Sequence, residues 1–378
     1  MTQAIEDLRS DLSAIFPERR EVIDGALCAI LAREHVLLLG PPGTAKSALV
    51  RAIARAFGGS YFEALVTRFT TPDEICGPIS LKALEQDRFM RVTTGKLPEA
   101  QVAFLDEIWK SSSALLNTLL TILNERVYHN DGAPVPCPLV TLFGASNELP
   151  DGRDLEALFD RFAMRFHVPY LLRETSMKAM LRAPDPVPSV SLDMPALEQA
   201  QWATAKVKVT DATIDALIAI REACRAEGIV ASDRRWKRSL KLAQASAYLA
   251  GERQTGPEDL VVLTDSLWRE PKDRPKVARI VGKLSDPVAA QATEVLDAAR
   301  ETAQKVASVK AGDRKAYISQ AAQAIDAFGQ QQRRLADLAK SAGKRAKAAI
   351  ADATADIAVM HGELARAVSA GLGLGATR

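Results

Sequence analysis

Residues 40–47 read Gly-Pro-Pro-Gly-Thr-Ala-Lys-Ser and follow the apolar run His35-Val36-Leu37-Leu38-Leu39. A buried strand that stops at a glycine, turns over two prolines and a second glycine, and enters a helix near Lys46 leaves few folds open. Such a loop aims successive backbone N–H groups at one point, and the helix N-terminus adds positive field there. Lys46 would reach the β- and γ-phosphates of a nucleotide, and the Ser47 hydroxyl would ligate Mg²⁺. The loop therefore predicts nucleoside triphosphate binding by Gly40, Pro41, Pro42, Gly43, Thr44, Ala45, Lys46 and Ser47. Ala45 stands where the usual pattern, G-x-x-x-x-G-K-[S/T], has its last glycine. At the start of a helix it is expected to take ordinary helical dihedrals, which an L-residue tolerates.

From 35 to 168 short apolar runs alternate with helical patterns. The strands are expected at His35–Leu39, Tyr61–Val66, Val102–Leu105, Leu139–Ala145 and Ala163–Val168, with helices near 47–57, 112–124 and 154–160. That alternation predicts an α/β fold whose parallel sheet is covered on both faces. Residues 1–34 precede it with apolar positions at helical spacing. Ile79–Thr94, with alternating apolar residues, reads as a hairpin insert. Val127–Pro138, rich in Gly, Pro and Asp, reads as a second hairpin or a loop.

Residues 171–270 show only helical periods, interrupted by a loop at Pro184, Pro186 and Pro188, and Pro271–Pro275 reads as a linker. In residues 281–378 alanine fills 27 of 98 positions and the only aromatics are Tyr317 and Phe328. Heptad-like spacing there predicts long helices in a bundle or coiled coil, with a tail, 371–378, expected to be disordered.

Composition narrows the function. A net charge of +2 across 378 residues points to no nucleic-acid or membrane partner. Four scattered cysteines form no CxxC pair, which argues for a reducing compartment and against a thiolate metal site. The start of the chain has no signal-peptide pattern and no apolar run approaches a membrane span. A soluble, cytoplasmic protein is expected.

Four further segments carry chemistry. Val102-Ala103-Phe104-Leu105-Asp106-Glu107 is a buried strand ending in two acids, 60 positions after Lys46. Beside a phosphate loop, Asp106 would hold Mg²⁺ mostly through water, and Glu107 would orient the attacking water. Asn147 ends the run from Leu139 and could contact the γ-phosphate or that water. Arg161 and, as second choice, Arg165 precede or enter the last strand. An arginine supplied in trans stabilises phosphoryl transfer by about 10³–10⁵ in rate. Ser232-Asp233-Arg234-Arg235-Trp236-Lys237 begins a helix, where the macrodipole disfavours cations. Arg234, or alternatively Arg235, is therefore read as contacting the γ-phosphate from a helical lid.

In this order these residues resemble an AAA+ ATPase: Walker A at 40–47, Walker B at 102–107, sensor 1 at Asn147, an arginine finger at Arg161 and sensor 2 near Arg234. The strings D-E-I-C-G-P (73–78), G-K-L-P-E-A (95–100), F-L-D-E-I-W-K (104–110), L-L-N-T-L-L-T-I-L-N-E-R (115–126), A-S-N-E-L-P (145–150) and S-D-R-R-W-K (232–237) are similar to the MoxR family, specifically its RavA-like group. The resemblance covers about residues 5–270. It implies an AAA+ αβα sandwich with a five-stranded parallel sheet (1–170), an all-α lid (171–270) and, beyond what it covers, a helical C-terminal region (271–378). It also implies ATP and Mg²⁺ as cofactors, Mg²⁺-dependent hydrolysis and a homo-oligomeric ring, usually of six. The implied partners are a von Willebrand A-type protein and a protein client, remodelled in the manner of a chaperone. A metal-chelatase motor subunit and a nucleotide-gated scaffold are the alternatives. A DNA translocator is disfavoured because no basic stripe with interleaved aromatics is present.

Overall fold

The computed structural model describes residues 2–183, 187–308 and 314–371. Pro184 and Pro186 of the expected loop, and 372–378 of the tail, lie outside these residues. Two helices, α1 (Thr2–Ile15) and α2 (Arg20–Ala32), open the chain. Ten of the thirteen residues of α2 are buried, because it packs on the sheet with one side and on later helices with another.

The sheet follows from its own strings. β1 (His35–Leu39) runs into the loop and into α3 (Lys46–Phe57), which is followed by β2 (Tyr61–Leu65). Short helical turns, α4 (Pro72–Cys76) and α5 (Leu81–Leu84), lead to β3 (Val102–Asp106) and α6 (Ser113–Glu125). A small antiparallel pair, β4 (Val127–Asn130) and β5 (Ala133–Pro136), precedes β6 (Thr141–Ser146), α7 (Arg153–Phe159) and β7 (Phe162–His167). The main sheet has the order β2-β3-β6-β1-β7, all parallel. β1 and β6 are buried throughout, as is β3 up to Leu105, as expected of strands covered on both faces. The five expected strands are all present, within two residues at each end.

The two interruptions differ from each other. β4 and β5 form a hairpin whose two-residue turn, Asp131-Gly132, has both residues at positive φ, the geometry that matches strand twist. Ile79–Thr94 was expected as a hairpin but forms a closed loop around one isolated bridge, Ile79↔Arg91, with α5 inside it. Leu81, Leu84, Phe89 and Val92 are exposed, so its alternating apolar residues have no face to bury and no ladder extends. The loop instead rests on the hairpin tip: Arg88 pairs with Asp131 at 2.8 Å, and Arg91 N–H donates to Asn130 Oδ1 at 2.8 Å.

Beyond the sheet come α8 (Glu174–Arg182), α9 (Met194–Ala205), α10 (Asp211–Ala226) and α11 (Asp233–Leu249), then a 3-10 stretch, Pro257–Asp265. α11 packs on α2, α9 and that stretch. The chain clusters into two units, 1–277 and 278–378, with α12 (Arg274–Ser285) running across the boundary. The second unit holds α13 (Pro287–Ala307), α14 (Arg314–Ser341) and α15 (Lys344–Gly371), packed pairwise around Val295, Phe328, Leu335, Ile350, Ile357 and several alanines. Among the described residues no helix is long and apolar enough to cross a membrane.

Candidate functional site

β1 delivers the phosphate loop. Gly40 N–H donates to the Ser146 carbonyl at 3.0 Å, fastening the loop to the end of β6. A Cβ on Gly40 would stand 2.2 Å from the Val168 carbonyl oxygen, so only glycine fits there. Ala45 corrects the sequence reading. It does not take helical dihedrals but sits at φ 64, ψ 25, in the left-handed region. A left-handed residue among right-handed ones turns successive N–H groups toward one point, which is the nest an anion needs. The first amides of α3 have no intrahelical acceptor and complete it.

Lys46 is buried, and its Nζ donates to the carbonyls of Gly40 at 2.8 Å and Pro41 at 2.9 Å. Burial pushes its ammonium below the usual lysine range, and the Asp106 and Glu107 carboxylates act against that. The loop cation and the two acids thus share one electrostatic neighbourhood. Asp106 ends β3, and its Oδ1 accepts the Glu107 N–H at 3.0 Å. Glu107 is itself left-handed, at φ 53, a conformation that a glutamate adopts at a cost of order 1–3 kcal/mol. Its Oε2 lies 3.3 Å from Lys110 Nζ.

Asn147 is exposed, immediately after β6. Since β6 lies between β3 and β1, the loop, the acids and Asn147 all leave the carboxyl ends of three neighbouring strands. Open parallel sheets bind their ligands at that edge. Trp109 fastens two of these exits together: its Nε1 donates to the Glu148 carbonyl at 3.0 Å, and its ring meets Phe159 and Phe162. Nothing in the motif letters singles out Trp109 or Lys110.

The arginines lie elsewhere. Arg161 is half-buried in the turn between α7 and β7, with its Nε buried and without a partner. β7 runs parallel to β1, with His35 beside Phe162 and Leu39 beside His167. Arg161 is therefore at the opposite end of the sheet from the loop of its own chain, about 16 Å of strand away at ~3.3 Å per residue. Arg165 is withdrawn as a finger candidate. It is 4% exposed, donates to the Trp268 carbonyl at 2.5 Å and stacks on Phe159 at 3.8 Å.

Arg235, the alternative sensor, is buried as well, donating to the carbonyls of Phe162 at 3.0 Å, Ser266 at 2.9 Å and Asp160 at 3.1 Å. Burial lowers its guanidinium to about 10, against the raising effect of Asp160. Arg234 is exposed in the same first turn of α11. That turn is tied to residues 160–163, since Ser232 Oγ also donates to the Asp160 carboxylate at 3.1 Å. Arg234, read as contacting the γ-phosphate from a helical lid, thus stands on a helix turn held to the Asp160 end of β7, the end at which Arg161 lies.

This strand order, with a phosphate loop after β1 and acids after β3, defines a P-loop nucleotide-binding fold of AAA+ type. The comparisons agree. Residues 3–201 match the family described as the MoxR domain in the MoxR-vWA-beta-propeller ternary systems, and 212–281 match an AAA lid domain. The chain belongs to the MoxR family of AAA+ ATPases. An uncharacterised protein of Methanocaldococcus jannaschii is 42% identical over 80% of this chain and 82% of its own length. The chaperone MoxR1 of Mycobacterium tuberculosis is 27% identical over 45% of this chain and 47% of its own. A crystal structure of a presumed ATPase from Cytophaga hutchinsonii superposes with a TM-score of 0.60 at 19% identity, covering 75% of this chain and 93% of that one, a likeness of fold. None of these matches singles out the RavA-like group.

Proposed function

We propose that this chain binds ATP with Mg²⁺ and hydrolyses it within a homo-oligomeric ring, usually of six, using turnover to remodel protein complexes. The observation that carries the reading is the convergence of Lys46, Asp106, Glu107 and Asn147 at the carboxyl ends of β1, β3 and β6.

The residues fit such a ligand. Left-handed Ala45 and the start of α3 supply a nest for phosphate. Ser47 and Asp106 offer hard oxygen donors, and no group of three or more His, Cys, Asp or Glu among the described residues could hold a metal alone. Mg²⁺ keeps most of its waters and leans on the phosphates, so one or two protein oxygens suffice. When bound, it neutralises phosphate charge. Lys46 exchanges its loop carbonyls for phosphate oxygens. Glu107 orients and polarises the attacking water. Its pairing with Lys110, whose side chain is exposed, is worth about 1 kcal/mol, so it yields readily. Asn147 fixes the water or the γ-phosphate. Arg161, with Arg234 on the helix turn held to Asp160, serves the nucleotide of the adjoining subunit, since Arg161 lies at the end of the sheet away from its own loop.

A von Willebrand A-type partner is supported by the family description, which names vWA and β-propeller proteins. A chaperone-like role on a protein client is supported by the M. tuberculosis relative's name. We keep 171–270 as a lid over the 1–170 core, 271–378 as a separate helical region, and the cytoplasm as the place of action. Glu107→Gln should retain ATP binding and lose about 10²–10⁴ in turnover. Normal hydrolysis by that variant would refute the assignment, and normal client processing without hydrolysis would favour a scaffold over a motor.

A further inference from the structure

We propose that Arg238 is a positioning residue for Arg161: anchored on buried Glu34, it sets the turn that presents Arg161 to the next subunit's nucleotide. The inference rests on Arg161 acting in trans.

The turn at 160–161 joins α7 to β7 and lies outside the β1–β7 ladder. A catalytic guanidinium displaced by 1 Å can cost about 10²-fold in rate, so such a turn needs an external brace. α11 supplies it. Arg235 and Ser232 take the Asp160 carbonyl and carboxylate. Arg238, one turn further on, donates Nη1 to the carbonyl of Arg161 itself at 3.1 Å and to that of Asp160 at 3.3 Å. Arg235 is embedded among buried carbonyls and holds β7 to the 3-10 stretch, so its removal tests folding. Arg238 keeps 14% of its side chain exposed and reads Arg161 directly.

The other end of the brace is equally fixed. Glu34 is 3% exposed, with Oε2 3.4 Å from Arg238 Nε and Oε1 3.2 Å from Lys241 Nζ. Its backbone is pinned on both sides: its N–H donates to the Ala29 carbonyl at 2.8 Å, and its carbonyl accepts the Thr141 hydroxyl at 2.7 Å. β1 begins at the next residue. Arg238 therefore spans from the buried residue that leads into β1 to a two-residue turn. A merely structural Arg238 would only neutralise Glu34, a task Lys241 shares.

The test is Arg238→Gln, with Arg161→Ala and Glu107→Gln as references. Arg238→Gln should lower kcat at least tenfold while KM and nucleotide affinity stay within twofold of the parent. Mixed with Glu107→Gln, it should regain turnover. The Arg238→Gln subunit keeps Glu107, and its neighbour supplies a well-placed Arg161. Rescue of Arg161→Ala by Glu107→Gln, with no rescue of Arg238→Gln, would overturn the positioning role and leave the trans arginine standing. Failure of both mixtures would overturn the trans reading and this inference with it. Parental turnover by Arg238→Gln would refute it directly. Should Arg238→Gln not fold, Glu34→Gln releases the anchor instead; it should show a smaller loss of kcat, again rescued by mixing, and parental kcat there would equally refute the brace.

Discussion

Ala45 holds a conformation that its side chain disfavours. The left-handed region costs a non-glycine residue about 1–2 kcal/mol. Ala45→Gly removes that cost and gives back roughly 0.4–1 kcal/mol through the freer unfolded chain. A net gain of about 0.5–1 kcal/mol in stability should appear as a higher urea midpoint at unchanged slope. The sequence could not reveal this, because Ala is the best helix former and sits beside a helix start; the loop's own closure overrides the preference. The motif letters did pick out Lys46, Asp106 and Glu107, which the fold brings to one end of neighbouring strands. They did not point to Lys110, Trp109 or Arg238; the contacts of Trp109 and Arg238 are with residues distant in sequence. His35 is a further case. It is buried, its Nδ1 accepts the Leu142 N–H at 3.0 Å, and Arg126 lies 2.6 Å from Nε2. Burial first, and the Arg126 charge second, hold its imidazole well below the usual range. In the unfolded chain it protonates near pH 6.5. Its contribution is therefore neutral above that pH and destabilising as pH falls below it, by up to ~1.4 kcal/mol per pH unit. Between pH 7 and 5 the melting temperature should fall more steeply for the parent than for His35→Gln.

At the scale of elements, α11 does two things with one cap. Ser232 Oγ accepts the Arg235 N–H at 3.2 Å and donates to Asp160. Ser232→Ala should cost about 1 kcal/mol, the ordinary worth of such a cap, in guanidinium unfolding. It should lower turnover as well, since it loosens the 160–161 turn, and leave nucleotide affinity unchanged. The strands were legible because a sheet covered on both faces demands unbroken apolar runs, as Val36–Leu39 and Val102–Leu105 provide. Val127–Pro138 was legible as a hairpin or a loop from its Gly, Pro and Asp content, and the structure makes it a hairpin turning at Asp131-Gly132. The segment 79–94 was not, because alternation predicts a strand only where a face is available to bury it, and here Leu81 and Phe89 stay exposed.

For the molecule as a whole, two cores matter. Unit 1–277 encloses a sheet rich in large side chains, whereas unit 278–378 is packed largely with alanine around Phe328 and a few aliphatics. Calorimetry should resolve two transitions, the alanine-rich unit melting first. Excess ATP with Mg²⁺ should raise only the upper one, by about 2.7 kcal/mol of stability at a hundredfold excess over Kd. The strand directions carry a last consequence. Because β7 starts where β1 starts, Arg161 and the phosphate loop lie at opposite ends of these two strands, so the proposed trans arrangement needs a second copy to complete each site. Specific activity should therefore collapse on dilution, and a cell could silence this protein simply by making too little of it.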